Sequence, residues 1–241
     1  MGFLKDILMF IFGFLKNSKK SKSVFYHDIH SDMKFTDMST SVDLFEKHIL
    51  LIRFMGFEIV SEITKEQNEI EISFDDAWQG IFENIEVVNR LKVPVTIFVI
   101  TSFISKNNYL SEEQIIQLSK NPLITFQSHT NSHADLPFIS DKKLVDELKK
   151  SKEILEKIIK KEVSSVCFPK GLFSEKVVKI ANEVGYKKQY SSLPGSFSNE
   201  VLPSVKRRSL IQSSSLSSLK NILRGGDNIL NYWYTKKHYT R

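Results

Sequence analysis

The amino-acid sequence predicts an α/β fold in which parallel strands form a complete or incomplete (β/α) barrel. Strand-like and helix-like segments alternate along most of the 241 residues, which is typical of parallel strands joined by crossover helices. The strands are too numerous for a small sandwich. No glycine-rich phosphate-binding motif follows the first strands, and this favours a barrel over an open sheet.

Apolar periodicity predicts each element in turn. Residues 69–76 (EIEISFDD) are apolar at every second position, as in a strand, and residues 93–101 (VPVTIFVIT) have the branched side chains of a buried strand. Residues 140–161 carry a helical stripe of leucine and isoleucine, and a helix at 41–57 ends near Gly56, a common stop signal. The remaining predicted strands are 22–30, 123–129, 164–169 and 188–192, and the remaining predicted helices are 81–92, 111–120 and 174–184.

Composition excludes several classes of protein. Apolar residues make up 41% and charged residues 26% of the chain, which argues against a disordered, collagen-like or multi-span membrane protein. The single cysteine, Cys167, cannot form an internal disulfide. That is typical of a reducing compartment, but many exported bacterial proteins also lack disulfides, so both locations stay open.

The net charge of +6 is concentrated at the two ends of the chain. Residues 1–23 carry +4 and residues 206–241 carry +7, which leaves −5 for the residues between them. No nucleic-acid recognition motif is present, and we expect no nucleic-acid partner. Basic ends on a mildly acidic body favour an anionic membrane surface or a phosphorylated substrate.

Residues 1–22 form an amphipathic and basic N-terminal segment. The uninterrupted apolar run at 7–15 is shorter than the roughly 20 residues that a membrane-spanning helix needs. We interpret residues 3–22 as a short interfacial helix followed by lysines that bind anionic headgroups. This interpretation predicts a membrane-associated protein at the cytoplasmic face. A helix packed on the body or on a partner, and an export signal, are the alternatives.

Three polar clusters each follow a predicted strand, at the edge where parallel barrels collect their catalytic residues. The first is SFDD, which ends in Asp75 and Asp76. Neighbours on a strand point to opposite sides, so one carboxylate can bind a cation while the other handles a proton. A solvated turn or a helix N-cap would also explain this pair.

The second cluster is SHTNSH, with His129 and His133. A His-x3-His pair can present both imidazoles to one cation, although two surface histidines in a polar loop would give the same pattern. One aspartate and two histidines together make a three-ligand site with positions open for water, as a hydrolytic metal centre requires.

The third cluster is the turn CFPKG, shaped by Pro169 and Gly171. Lys170 faces either the site or solvent. Cys167 is interpreted as a small core residue rather than a nucleophile or a ligand.

These motifs, in this order, resemble the polysaccharide deacetylases of carbohydrate esterase family 4, the NodB-homology domain. The early Tyr26-His27 pair is similar to the poly-N-acetylglucosamine deacetylase branch. The resemblance covers roughly residues 22–212 and implies a single catalytic domain at residues 23–212, a distorted (β/α)7 barrel. Residues 1–22 would then form an N-terminal amphipathic helix, and residues 213–241 a basic aromatic tail.

The resemblance also implies roles for the clustered residues. Asp75 would be the general base, and Asp76, His129 and His133 would hold a divalent metal, zinc or in some members cobalt or nickel. The metal ligands would be oriented by two polar neighbours, Ser128 and Thr130. The substrate would contact three residues of the third cluster, Phe168, Pro169 and Lys170.

The sequence departs from the family pattern at several positions. Ala77 replaces the glycine after the aspartate pair, and the Arg-x-Pro-Tyr motif reads CFPK, without its arginine and tyrosine. Arg207 or Arg208, with Arg208 preferred, would orient the base instead. No Leu-x-His segment supplies the general acid. His27 is therefore the candidate acid, with a structural hydrogen bond as the alternative, and His238 in the tail is a poor one.

The predicted function is metal-dependent removal of an N-acetyl or formyl group from an amino sugar of a surface polysaccharide or its lipid-linked precursor. A metal-independent barrel glycosidase that uses Asp75 with another carboxylate is a second hypothesis. A degenerate deacetylase domain that binds glycan without catalysis is a third.

Overall fold

The computed structural model describes residues 2–240, and the side chains of residues 7–240. Its strands are β1 (Lys22–Tyr26), β2 (Asp28–His30), β3 (Ser39–Ser41), β4 (Glu58–Val60), β5 (Glu69–Phe74), β6 (Val95–Val99), β7 (Ile124–Ser128), β8 (Ser165–Cys167), β9 (Lys188–Tyr190), β10 (Val205–Lys206) and β11 (Arg208–Leu210). Its α-helices are α1 (Gly2–Lys16), α2 (Val42–Phe54), α3 (Gly80–Glu83), α4 (Ile85–Leu91), α5 (Glu112–Leu118), α6 (Asp141–Ile159), α7 (Glu175–Val184), α8 (Leu216–Leu223) and α9 (Asn231–His238). Within residues 2–240, none of the helices has both the length and the apolar character needed to cross a bilayer.

The main sheet is parallel and runs in the order β10-β9-β8-β7-β6-β5-β1-β11, with β4 beside β5. Strands β10 and β11 belong to one extended stretch, residues 205–210, interrupted at Arg207. Its first half pairs with β9 and its second half with β1, so this stretch links the two ends of the sheet. The predicted (β/α)7 barrel is confirmed, and its distortion lies at this interrupted seventh strand.

The two faces of β5 explain why the barrel has a polar interior. Ile70, Ile72 and Phe74 lie in the apolar core beneath the helices. The alternate residues point into the barrel, where the Tyr190 hydroxyl of the non-adjacent strand β9 donates to Glu71. The predicted alternation of apolar and polar positions on this strand is confirmed, although the polar side is enclosed rather than solvated.

The segment after residue 212 packs on the barrel. The sequence sets residues 213–241 apart as a tail, but in residues 213–240 the helices α8 and α9 cover one side of the barrel. Asp227, between them, is buried and pairs with the Lys22 ammonium at 2.8 Å, while the Ser209 hydroxyl also donates to it. A buried pair of opposite charges between the first strand and this segment holds the segment in place.

Helix α1 also packs on the body, against α8 and the loop that follows it. Met9 and Gly13 form its buried side, and Gly226 has no room for a Cβ because the Met9 carbonyl would lie 2.1 Å away. Phe10, Phe14 and Leu15 face outward and are exposed. The side chains of Phe3, Leu4 and Lys5, which the sequence also assigns to this helix, lie outside the described residues.

Candidate active site

A cleft of about 770 Å³ opens at the carboxyl edge of the barrel. His27 follows β1, Asp75 and Asp76 follow β5, and His129 follows β7, and all of them line this cleft together with His133. The strand β5 ends at Phe74, before the aspartate pair. Two adjacent carboxylates can therefore face the same cleft, which an uninterrupted strand would not permit.

The geometry of Asp76, His129 and His133 fits a divalent cation. The Oδ1 atom of Asp76 lies 3.4 Å from His129 Nε2 and 3.7 Å from His133 Nε2. A tetrahedral ion with bonds of about 2.0–2.1 Å separates its ligand atoms by about 3.3 Å. Among the described residues, Asp76 Oδ1 is buried without a hydrogen-bond partner, so it is an acceptor whose burial needs a cation or a proton.

Two hydrogen bonds point the ligand atoms toward this position. The His129 Nδ1–H donates to the carbonyl of Cys167 at 2.8 Å, which leaves the Nε2 lone pair for the cation. The Trp78 indole N–H donates to Asp76 Oδ2 at 3.1 Å and leaves Oδ1 free to coordinate. Trp78 is absent from the predicted site residues, although its position two residues after Asp76 is a usable signal.

The charge state of the cluster follows from burial and from mutual contacts. Burial would raise the pKa of Asp76, but His129 lowers it well below the usual range. Burial would lower the pKa of His129, yet Cys167 and Asp76 raise it. Burial, followed by repulsion from His129, lowers the pKa of His133 to about 4. The site therefore favours a positive charge beside Asp76, whether a proton or a metal ion.

The loops that carry these ligands use left-handed backbone. Asp76 and Ala77 have φ of 73° and 63°, and Thr130 and His133 have φ of 66° and 62°. Residues other than glycine adopt this region at a cost of about 1–2 kcal/mol. The family glycine at the position of Ala77 is thereby explained, since glycine would take this conformation freely.

Asp75 is bound by Arg208 rather than by Arg207. The Arg208 guanidinium donates from Nη1 to Asp75 Oδ1 at 2.7 Å and from Nη2 to Oδ2 at 2.8 Å. Arg207 instead donates to the carbonyl of Pro194. Burial would raise the pKa of Asp75, but the adjacent Arg208 outweighs it and lowers the pKa. The carboxylate stays ionised and is held in a fixed orientation.

Cys167 occupies the position of the arginine in the family motif. Its Sγ lies 2.8 Å from Arg208 Nη2, and its side chain is fully buried, in keeping with the expected core role. A guanidinium from β11 thus lies against the residue that fills the first position of the CFPK turn. No pattern near Cys167 could have predicted this exchange, because Arg208 is 41 residues further along the chain.

Both remaining histidine candidates line the cleft. His27 contacts Gln212, with 2.6 Å between Nδ1 and Oε1. His238 is buried, and its Nδ1–H donates to the carbonyl of Tyr234 at 3.0 Å. Burial lowers the pKa of His238. No local pattern points to Gln212, which is 185 residues from its partner.

Two of the three substrate contacts predicted in the third cluster, Phe168 and Pro169, lie in the core instead of the cleft. Phe168 is fully buried and stacks on Phe173 at 5.7 Å, and Pro169 is buried beside it. Neither is among the described residues that line the cleft, because the alternation of β8 turns Phe168 toward the core. Lys170 does line the cleft and pairs with Asp135 at 2.8 Å.

Ser128 and Thr130 act on the loop backbone rather than on the imidazoles. The Ser128 hydroxyl accepts the Thr130 N–H at 3.1 Å, and the Thr130 hydroxyl accepts the His133 N–H at 3.2 Å. These bonds close the turn between the two histidines. The expected role in orienting the ligands is therefore indirect.

Fold and site together define a class of protein, a parallel α/β barrel with carboxylates and imidazoles gathered at the carboxyl edge, where barrel enzymes carry out their chemistry. A sequence model of the family described as polysaccharide deacetylase matches residues 62–188, more than half of the chain. The chain belongs to the polysaccharide deacetylase family.

Three known proteins illustrate the similarity. A poly-β-1,6-N-acetyl-D-glucosamine N-deacetylase of Staphylococcus aureus is 25% identical over 159 residues, which are 60% of this chain but only 54% of that protein. The crystal structure of BC0361, a polysaccharide deacetylase from Bacillus cereus, is 26% identical with a TM-score of 0.73, over 85% of this chain and 69% of that chain. The Streptococcus pyogenes deacetylase PplD, in complex with acetate, shares the fold, at 21% identity and a TM-score of 0.73 over 86% and 97% of the two chains.

Proposed function

We propose that this protein is a metal-dependent N-deacetylase that hydrolyses the N-acetyl or N-formyl amide of an amino sugar. The observation that carries the proposal is the convergence of Asp76, His129 and His133, whose ligand atoms all lie within 4.8 Å of one another. Asp75 lines the same cleft as an ionised carboxylate. A donor set of one carboxylate and two imidazoles favours zinc, with cobalt or nickel as alternatives.

Different residues of the cleft have different roles in amide hydrolysis. A divalent cation held by Asp76, His129 and His133 would lower the pKa of a water molecule and polarise the amide carbonyl. Asp75 accepts the proton of the attacking water, because Arg208 keeps it ionised and fixes both of its oxygens. Arg208 is thus a positioning residue that replaces the missing arginine of the family motif.

His27 is the proposed general acid for the departing amine. It lines the cleft with Asp75, and the Gln212 contact at Nδ1 leaves Nε2 as the ring nitrogen that can deliver a proton. We expect His27→Ala to lower kcat by about 100-fold or more without changing zinc affinity. His238→Ala serves as the comparison, and an equal loss in that variant would contradict the assignment.

The proposed substrate is an amino-sugar glycan of a surface polysaccharide or its lipid-linked precursor. The name of the S. aureus relative assigns that protein to poly-β-1,6-N-acetyl-D-glucosamine. In this chain the cleft is lined by many hydroxyl groups and by lysines, which can bond sugar hydroxyls, and by apolar side chains. The hydroxyl-bearing residues are Ser192, Ser209, Ser213, Ser214, Ser215, Ser218 and Tyr234.

Metal analysis combined with acetate release tests the function. The full chain, loaded separately with Zn²⁺, Co²⁺ or Ni²⁺, is incubated with N-acetylglucosamine oligomers. We expect acetate release that Asp75→Asn abolishes while metal binding persists. Cleavage of the sugar chain without metal would instead indicate a glycosidase, and bound metal without acetate from any amino sugar would indicate a glycan-binding domain.

We also propose that, of the predicted segment 3–22, helix α1 and the exposed lysines that follow it dock on an anionic membrane surface at the cytoplasmic face, whereas Lys22 is buried against Asp227 and takes no part. Helix α1 is fixed to the body by its buried side, so the outward position of Phe10, Phe14 and Leu15, 54%, 67% and 74% exposed, is set by the fold. Exposed lysines at Lys16 and Lys20 flank this apolar face. This combination is typical of an interfacial helix.

Vesicle flotation tests the docking independently of catalysis. We expect binding to vesicles rich in phosphatidylglycerol, weaker binding to phosphatidylcholine vesicles, and loss of binding in Phe14→Glu. Phe54→Glu is the matched control, since Phe54 is 87% exposed on α2. Absence of vesicle binding with a dimer in solution would show that a second copy, and not lipid, covers this face.

A further inference from the structure

Helix α6 carries two buried polar residues on its apolar side. Glu147 and Ser151 are 5% and 0% exposed, one helical turn apart. They lie among Leu144, Leu148 and Leu155, which are fully buried. A buried carboxylate is unfavourable unless hydrogen bonds compensate its lost hydration. The burial of Glu147 must therefore be compensated by specific partners.

The Glu147 carboxylate binds the loop between the two histidine ligands. Its Oε2 accepts the backbone N–H groups of Asn131 at 3.1 Å and Ser132 at 2.7 Å. Its Oε1 accepts the Ser132 hydroxyl at 2.6 Å. One carboxylate therefore satisfies three donors within the His-x3-His segment.

Ser151 reaches the same loop one turn further along the helix. Its hydroxyl lies 2.7 Å from that of Ser128, which in turn accepts the backbone N–H of Thr130. The backbone N–H groups of all three residues between His129 and His133 are thus tied to α6, directly or through one hydroxyl.

The loop needs this support because of its backbone. Thr130 and His133 both adopt positive φ, which side chains with a Cβ disfavour. Without the bonds to α6, the loop would be free to relax toward ordinary conformations. His133 would then move relative to His129, whose own position is fixed by β7 and by the Cys167 carbonyl.

We infer that Glu147, assisted by Ser151, is a positioning residue that sets the affinity of the cluster for its cation. The carboxylate holds the His-x3-His loop in its ligating shape and adds negative charge behind it. This inference rests on the metal centre of the proposed function. It concerns residues that touch neither the cation nor the substrate.

Direct metal titration tests the inference. Zn²⁺ and Co²⁺ dissociation constants are measured by chelator competition on the purified full chain and on Glu147→Gln, Glu147→Ala and Ser151→Ala. Loss of a partner that orients metal ligands weakens binding by about 10–100-fold, and we expect this range for the Glu147 variants and less for Ser151→Ala. Glu153→Gln is the matched control, because Glu153 is exposed on the same helix.

A second readout separates positioning from a merely structural role. Saturating Zn²⁺ should restore acetate release by Glu147→Gln to near the wild-type kcat, because only occupancy is impaired. Unchanged metal affinity together with a lowered metal-free Tm would overturn the inference. Wild-type chain that binds zinc but releases no acetate would refute the proposed catalysis and leave this inference standing, whereas wild-type chain that binds no metal would refute both.

Discussion

Arg208 and Asp75 are joined by two parallel hydrogen bonds, of 2.7 and 2.8 Å, although 133 residues separate them in the chain. Both side chains are buried, and Arg208 Nη1 also donates to Ser73 on β5. The guanidinium lies over the ring of Phe25, 4.3 Å from its centroid. The carboxylate is therefore charged and held in a fixed orientation at the cleft before any substrate enters.

Arg208→Lys should affect kcat more strongly than it affects the free energy of unfolding. Lysine keeps the charge but cannot make the paired hydrogen bonds, so we expect a loss of about 10–100-fold in acetate release, within the range for proton transfer, at unchanged zinc affinity. Arg208→Met leaves Asp75 buried and unpaired, which costs about 3–5 kcal/mol of unfolding free energy. Arg90→Lys, at an exposed pair with Glu46, is the control, and a similar kcat loss there would count against the assignment.

Ala77→Gly should stabilise the protein. Ala77 has φ of 63°, and replacing alanine by glycine at such a position relieves strain of about 1 kcal/mol, partly offset by the greater freedom of the unfolded chain. Ala181→Gly, in the middle of α7, should instead destabilise by about 1 kcal/mol. Urea unfolding of both variants measures the difference, and a destabilised Ala77→Gly would show that the methyl group packs better than its backbone strain suggests.

Stability should fall as pH rises toward and through 7. Burial raises the pKa of Glu71 and of Asp28 to about 7 each, above their unfolded values. A group whose folded pKa is raised contributes stability that is complete below its unfolded pKa, near 4, and that is lost as pH passes its folded pKa.

Substitution of Glu71 isolates this effect. The free energy of unfolding is measured with urea at pH 5 and at pH 8. We expect Glu71→Gln to reduce the difference between these two free energies by on the order of 2–3 kcal/mol, since each pKa unit corresponds to about 1.4 kcal/mol. Glu153→Gln, on the surface, should leave the difference unchanged. If Glu71→Gln leaves it unchanged as well, the Glu71 carboxyl titrates normally.

Zinc should raise the Tm of the wild-type chain. A ligand that binds only the folded state at 100 times its Kd stabilises by about 2.7 kcal/mol. His133→Ala should lose this shift, because His133 contributes one of the three ligand atoms. His30→Ala removes a buried histidine whose Nδ1 contacts Ser39, away from the cleft, and should keep the zinc shift. Equal loss in both variants would point to a general folding defect.

Much of the fold and the centre of the site were predictable from local pattern. The alternation on β5 and the branched residues of β6 predicted parallel strands, and the helix predicted at 111–120 is present as α5, with Ser111 as its N-cap. Asp76, His129 and His133 followed from their position after strands. The Asp75 and Asp76 pair and the two histidines come together because the carboxyl ends of parallel strands share one edge.

Other parts of the site depend on tertiary packing that local pattern does not show. Arg208, the arginine preferred on the sequence, is the one that contacts Asp75, but the physical reason, which side of an interrupted strand faces the interior, is visible only in the structure. The burial of Phe168 follows from the alternation of side chains on β8, and the sequence does not show which side of that strand faces the core. Glu147 reads as an ordinary charge in a helical pattern until α6 is placed against the histidine loop.

The order of elements and the residues that carry the chemistry follow from the amino-acid sequence alone, since hydropathy period and motif spacing are local properties of the chain. Three features emerge only in the folded chain: the paired bonds of Arg208 to Asp75, the support of the histidine loop by Glu147, and the wall that residues 213–240 form along the cleft. The arginine contact depends on closure of the barrel, which brings residues 133 positions apart within hydrogen-bonding distance, and the contact of Glu147 depends on the packing of α6 against the loop after β7.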